Sequence, residues 1–151
     1  MVNTEAENIM LGIKINNADK WFSKCARLRT HYTCEYCGVV YNESSQGLHA
    51  SHYFGRKSYS TRYDPDNIFA HCFSCHQFLG GNPEIFRDWA HKQLGSGRIQ
   101  ILRERNRDIT VGRIVKKNLP EVEKHYKMQY ENMLKLKAQG VITRLEFINF
   151  I

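Results

Sequence analysis

Long hydrophobic runs are missing from this chain. No stretch approaches 18 consecutive apolar residues, which excludes a membrane-spanning helix. The opening M-V-N-T-E-A-E-N has acids where a secretory leader needs bases, and no apolar core follows at once. A cytoplasmic protein is therefore expected. Internal repeats and low-complexity tracts are absent too, which argues against a solenoid. Proline is scarce, and Pro65, Pro83 and Pro120 each stand where a new segment is expected to begin.

What is present suits one soluble domain over residues 1–151, with 42 % hydrophobic and 25 % charged residues. The formal net charge of +7 is unevenly placed. Residues 1–80 carry 8 Lys/Arg against 7 Asp/Glu, whereas residues 81–151 carry 14 against 8. One run supplies seven of these bases: Arg98, Arg103, Arg105, Arg107, Arg113, Lys116 and Lys117. Together with Arg56 and Lys57 they are candidate phosphate contacts for a polyanionic partner, with ordinary solvated surface as the alternative.

The hydrophobic pattern divides the chain into three parts. Residues 17–30 read as a helix capped by Asn17, with Trp21, Phe22, Cys25 and Leu28 as its apolar stripe. Residues 31–81 hold two short extended stretches, 48–54 and 68–73, and a helix starting near Cys75 that Gly80 and Gly81 should stop. Residues 82–151 form a basic, mainly helical extension. There, a helix starts at Pro83 and ends at 95–97, and residues 97–115 read as a short helix and a loop. The longest helix opens at Pro120 with the stripe Val122, Tyr126, Tyr130, Met133 and Leu136. The apolar tail 141–151 should dock on the core or meet a second subunit.

Four of the five cysteines form two C-x-x-C pairs, Cys34/Cys37 and Cys72/Cys75, separated by 34 residues. Two such pairs can set four thiolates tetrahedrally around zinc, whereas a redox site needs only one pair at a helix start. A structural Zn²⁺ is expected, pinning the start of the intervening insert to its end. Cys25 has no near partner and reads as a small buried hydrophobe. The insert and its flank hold His49, His52, Asn67, His71 and His76. A metal ion with one positioned histidine base is an economical way to hydrolyse a phosphodiester, although packing or surface hydrogen bonding is the readier explanation of any single histidine.

The order C-x-x-C … His … Asn … C-x-x-C-His resembles the zinc-containing branch of the HNH endonucleases. The segment H-A-S-H-Y-F-G-R is similar, more closely, to the D-A-G-H-Y segment of the lambdoid phage NinG (Rap) recombination proteins. The resemblance covers roughly residues 31–81. It implies an α+β, ββα-metal core and a DNA endonuclease using Mg²⁺ or Mn²⁺. A phage-encoded protein of this kind would work in the host cytoplasm. Carried over by position, His52 matches the water-activating histidine, His76 the terminal metal ligand, and Asn67 the asparagine bracing the loop that holds the base. Arg56 is the candidate phosphate clamp. Family members have Asp or His directly before the catalytic histidine; this chain has Ser51. A hydroxyl is a poor ligand by comparison, so His49, two residues away on the same strand face, is the expected partner of His76. The expected partner is DNA, branched if the likeness to NinG extends to substrate, with RNA left open. A homodimer is expected because paired strand cuts need two sites. A non-catalytic zinc-knuckle nucleic-acid binder, a protein-interaction module and a homing or restriction nuclease remain as alternatives.

Overall fold

A capping box starts the first helix. The Asn16 side chain accepts from the Asp19 backbone N–H, and the Asp19 carboxylate accepts from that of Asn16, both at 2.9 Å. Helix α1 therefore spans Asn17–Arg29, and its cap lies one residue before the expected Asn17. An acid three residues after the cap is what a capping box requires, and Asp19 fits only Asn16. The computed structural model describes residues 12–151; the acidic opening read against a secretory leader lies outside them.

Helix α1 buries Phe22, Cys25, Ala26 and Leu28, while Trp21 stays half-buried against Tyr130. After Arg29 the chain reverses through His31 and Tyr32, both in the left-handed region at φ 50° and 60°. Such a pair is costly for side-chain-bearing residues and is held by the surroundings. The Tyr32 N–H donates to the Arg27 carbonyl at 3.0 Å, and the Tyr41 N–H donates to the Tyr32 carbonyl at 2.8 Å.

Strands β1 (Leu48–His52) and β2 (Ile68–Cys72) form an antiparallel pair, with His49 opposite His71, Ser51 opposite Phe69 and His52 opposite Ile68. The connection carries a single helical turn, α2 (Tyr59–Arg62), and a 3-10 turn over Pro65–Asn67. β2 runs directly into α3 (Phe73–Gly81). This helix starts two residues earlier than expected and includes both glycines, whose missing side chains leave the helical conformation open. The fold is mixed α+β, mostly helical around a two-stranded sheet.

The sheet separates two apolar clusters. Leu48, Ile68 and Ala70 join Phe22 and Tyr126 in the larger one, and Phe69 joins Leu79, Phe86 and Ala90 in the other. The outer edge of β2 is covered rather than open. The Glu35 N–H donates to the Ala70 carbonyl at 2.8 Å, and the Glu35 carboxylate accepts from the Ala70 N–H at 2.7 Å.

Helix α4 runs over Pro83–Arg107, kinked at Gly95 (φ 79°, ψ 163°), and α5 over Ile109–Lys117. The end expected at 95–97 falls where Gly95 leaves the helical region, so two helical segments meet there, and the expected loop is helical. Gly97 continues the helix, and Asp108 caps α5 by accepting from the Thr110 and Val111 N–H groups. Helix α6 (Leu119–Ala138) packs Val122, Tyr126 and Met133 inward, while Leu136 of the expected stripe is exposed. The tail 141–151 has no regular structure but docks on the core. Leu145 and Phe147 are buried, the Leu145 N–H donates to the Arg29 carbonyl at 3.0 Å, and the Arg29 guanidinium lies 5.0 Å from the Phe147 ring centroid. No described helix is long and apolar enough to cross a membrane.

One buried ion pair ties α1 to the strand connection. Arg62 donates to both carboxylate oxygens of Asp19, at 2.6 and 3.0 Å, with both side chains 2 % exposed. Its remaining donors reach the Lys14 and Arg56 carbonyls. Removing one partner strands the other charge without water. Asp19→Ala is expected to cost about 3–5 kcal/mol in urea denaturation, and a loss below about 1 kcal/mol would show that the pair is not structurally important.

Candidate active site

The four paired cysteines meet at the base of the sheet. Their sulfurs all lie within 4.8 Å of one another, and Cys37 Sγ is 3.8 Å from Cys72 Sγ. A zinc tetrahedron with Zn–S near 2.3 Å has sulfur–sulfur edges of about 3.8 Å, so the donor set fits one such ion. The Cys72 N–H donates to Cys34 Sγ at 3.3 Å, and the first knuckle closes through Gly38 (φ 80°), whose N–H donates to the Cys34 carbonyl. Burial opposes ionisation of Cys72, yet hydrogen bonds from the Cys75 backbone and from neighbouring thiols and Tyr41 hold it down to about 7. Burial and the three neighbouring thiols push Cys75 up. Four thiolates this close cannot all ionise without a cation among them. Cys25 stands apart, buried in α1, its thiol donating to the Tyr126 carbonyl at 3.4 Å.

Above this base, β1 and α3 bring two imidazoles together. His49 Nδ1 and His76 Nδ1 are 3.2 Å apart, with ring planes at 90°. Two nitrogens about 2.1 Å from one cation would be separated by about 3.0 Å at a right angle and about 3.4 Å at the tetrahedral angle. The pair fits either geometry as two adjacent ligands. His71, opposite His49 in the register, is not the third. Its fully buried ring packs among Phe69, Phe86 and Trp89, and neither ring nitrogen has a hydrogen-bond partner among the described residues. Burial depresses its pKa to about 3, so it packs as a neutral ring.

His52 belongs to the other face of β1, against Phe22. Its Nε2 lies 3.0 Å from the Arg62 carbonyl, which can only accept, so Nε2 carries the proton and Nδ1 is left as the basic nitrogen. The loop supplying that carbonyl is braced by Asn67. The buried amide accepts from the Phe54 N–H at 2.7 Å and donates to the Phe54 and Thr61 carbonyls, both at 2.9 Å. Burial, and then the charge of Arg56, holds His52 well below the usual histidine pKa. Ser51 is 1 % exposed, and its hydroxyl has no partner among the described residues.

Arg56 is buried, not a surface residue, and lines a cavity of about 390 Å³ with Arg27, His49 and His76. The other predicted phosphate contacts are dispersed. Arg98 pairs with Asp66, and Arg105 with Asp64 and the Ser60 carbonyl, so both hold the strand connection to α4. Lys57, Arg113 and Lys116 line a separate cavity of about 290 Å³. Arg103 is half-buried, and Arg107 and Lys117 are exposed.

Residues 11–136 match a protein family described as NinG, Bacteriophage Lambda NinG protein. The chain belongs to the NinG family. No curated protein and no solved structure matches it. The match takes in the thiolate cluster, the histidine pair and helices α1 to α5, so the site lies wholly inside the NinG region.

Three residues of this NinG-family site were not legible beforehand. Asp19 shows in the sequence only as a capping acid, while its bond to Arg62 spans 43 positions without a local pattern. Arg27 reads as the solvated face of a helix and becomes part of the cavity only once β1 and α3 lie beside α1. Glu35 sits inside the first C-x-x-C pair, where nothing marks it as an edge cover. Zinc quantification on unfolding should return about one ion per chain. Cys34→Ser should abolish cooperative unfolding or lower the midpoint sharply, whereas full stability with no bound metal would reject the structural centre.

Proposed function

We propose that this NinG-family protein is a divalent-metal-dependent DNA endonuclease of the HNH type, its β1–β2–α3 unit serving as a ββα-metal core. Branched recombination intermediates such as Holliday junctions are its proposed substrate class. The carrying observation is the convergence of His49 and His76, nitrogen to nitrogen at 3.2 Å, in one cavity with the buried Arg56.

His49 and His76 would hold the cation, and Mg²⁺ or Mn²⁺ bound there would stabilise charge on the departing 3′ oxygen. Imidazole donors favour Mn²⁺ over Mg²⁺, and Co²⁺, Ni²⁺ and Zn²⁺ suit the pair as well. His52 lines a separate cavity on the other face of β1; with its Nε2 fixed on the Arg62 carbonyl, Nδ1 is the nitrogen that would accept the proton of an attacking water. Asn67 keeps that carbonyl in place through the Thr61 and Phe54 contacts. Arg56 would place a guanidinium beside the phosphate, its Nε being without a partner among the described residues. The products are 5′-phosphate and 3′-hydroxyl ends. A C2 dimer would deliver the paired cuts a junction needs.

The competing reading is nucleic-acid binding without cleavage. It draws on Ser51, which is buried where the HNH pattern has a ligand.

Incubation with duplex, single-stranded, flap and four-way-junction DNA, with RNA controls, decides between them: cleavage should require Mn²⁺ or Mg²⁺ and favour the junction. His52→Ala should reduce cleavage by at least about 100-fold while retaining fold and zinc, and full activity in that variant would remove His52 from its role. The pH profile has a definite sign. A base must be neutral to act, and His52 titrates below the ordinary value near 6.5, so activity should persist below that pH and fall only at more acidic values. An acidic limb centred above pH 7 would contradict the assignment.

A further inference from the structure

The cavity at the histidine pair does not end there. A second cavity of about 440 Å³ is lined by Lys24, Tyr32, Tyr130 and Leu134, and the two share Arg27 and Glu43. The shared residues set the two cavities side by side, one at His49 and His76 and the other between α1 and α6. The second, outer one combines cations with ring faces. Lys24 Nζ lies 4.6 Å from the Trp21 ring centroid and 5.6 Å from that of Tyr130. Lys127 Nζ is 5.7 Å from Trp21, and Lys137 Nζ is 5.0 Å from Tyr32. The Trp21 and Tyr130 ring centroids are 5.7 Å apart, with their planes tilted by 52°. Glu43 is the one acid lining either cavity among the described residues.

We infer that the two cavities together form a trough that binds a single-stranded segment of nucleic acid, leading it away from the candidate cleavage centre. The direction of the track rests on the nuclease reading; the binding does not. Cations that follow a backbone, interleaved with aromatic faces on which unpaired bases stack, are what a single strand requires. Reading a duplex instead needs a helix or ribbon that protrudes into its groove, and a concave trough offers none. The arginine-rich run is the less suitable track. Arg98 and Arg105 are engaged with Asp66 and Asp64, and the cavity lined by Arg113 and Lys116 has Tyr59 as its one ring.

Trp21 lines neither cavity but packs on Tyr130 and Lys24, which line the outer one, so its emission reports on that cavity. With Trp89→Phe it becomes the sole tryptophan, and titration with a 12-nucleotide oligothymidylate, without added divalent ions, should quench its emission saturably. Affinity should fall steeply with salt. Lys24→Ala combined with Arg27→Ala should weaken binding about tenfold or more. Anisotropy of the labelled oligonucleotide, measured on the chain with both tryptophans, reads the same affinities should Trp89→Phe fail to fold. Three results would overturn the trough: no Trp21 response at saturating oligonucleotide, tighter binding of a blunt hairpin duplex, or a larger loss from Arg113→Ala with Lys116→Ala. Binding at Trp21 with no cleavage of any DNA in Mn²⁺ would reject the nuclease reading and support the trough. Cleavage without a Trp21 response would reject the trough alone.

Discussion

Four sulfurs drawn within 4.8 Å of one another are the constraint on which the rest of the structure depends. Cys34 and Cys37 lie ahead of β1, and Cys72 and Cys75 end β2 and begin α3. One tetrahedral ion would therefore fix a knuckle, two strands and a helix to a common point. A two-stranded sheet is marginal alone. Structural zinc contributes about 10–16 kcal/mol of apparent binding free energy, which appears as folding free energy when the site forms only in the folded chain. The staple also sets which residues meet: His76 follows Cys75 directly, so fixing the thiolate sets the imidazole against β1.

The second constraint is electrostatic and works from the opposite side. Asp19 holds Arg62, whose backbone carbonyl receives His52, while Asn67 grips the same loop through Thr61 and Phe54. The histidine pair and His52 thus sit on opposite faces of one strand, each supported by a different part of the molecule. This division explains why His52 is held neutral by burial while the cavity at His49 and His76 stays lined with guanidinium groups. Three charges of the strand connection, Arg62, Asp64 and Asp66, are paired with neighbouring helices. Arg62 meets Asp19, Arg98 meets Asp66, and Arg105 meets Asp64.

Local signals in the chain were read accurately where the physics is local. The extended stretches expected at 48–54 and 68–73 are strands over 48–52 and 68–72, and the helix starts at Pro83 and near Pro120 follow from proline's fixed φ. Misreadings arose where a local cue had two outcomes. Asn16 and Asn17 both cap well, and only the reach of Asp19 selects the first. Gly80 and Gly81 permit a break without imposing one, whereas Gly95 does leave the helical region. The basic run between Arg98 and Lys117 looked uniform, yet carboxylates from a distant turn divide it into structural and exposed residues.

Taken alone, the sequence determined the donor chemistry of this NinG-family protein: two C-x-x-C pairs, the histidines at 49, 52 and 76, and the asparagine at 67. Residue type and spacing carry that information because ligation and hydrogen bonding depend on which atoms a short segment can offer. Tertiary structure alone decided which groups share a space. It brought His49 to His76, sent His71 into an aromatic packing site, and placed Arg27 between the cavity of the histidine pair and that of Tyr130. Those neighbours are far apart in sequence, and their meeting depends on packing free energy summed over the whole core.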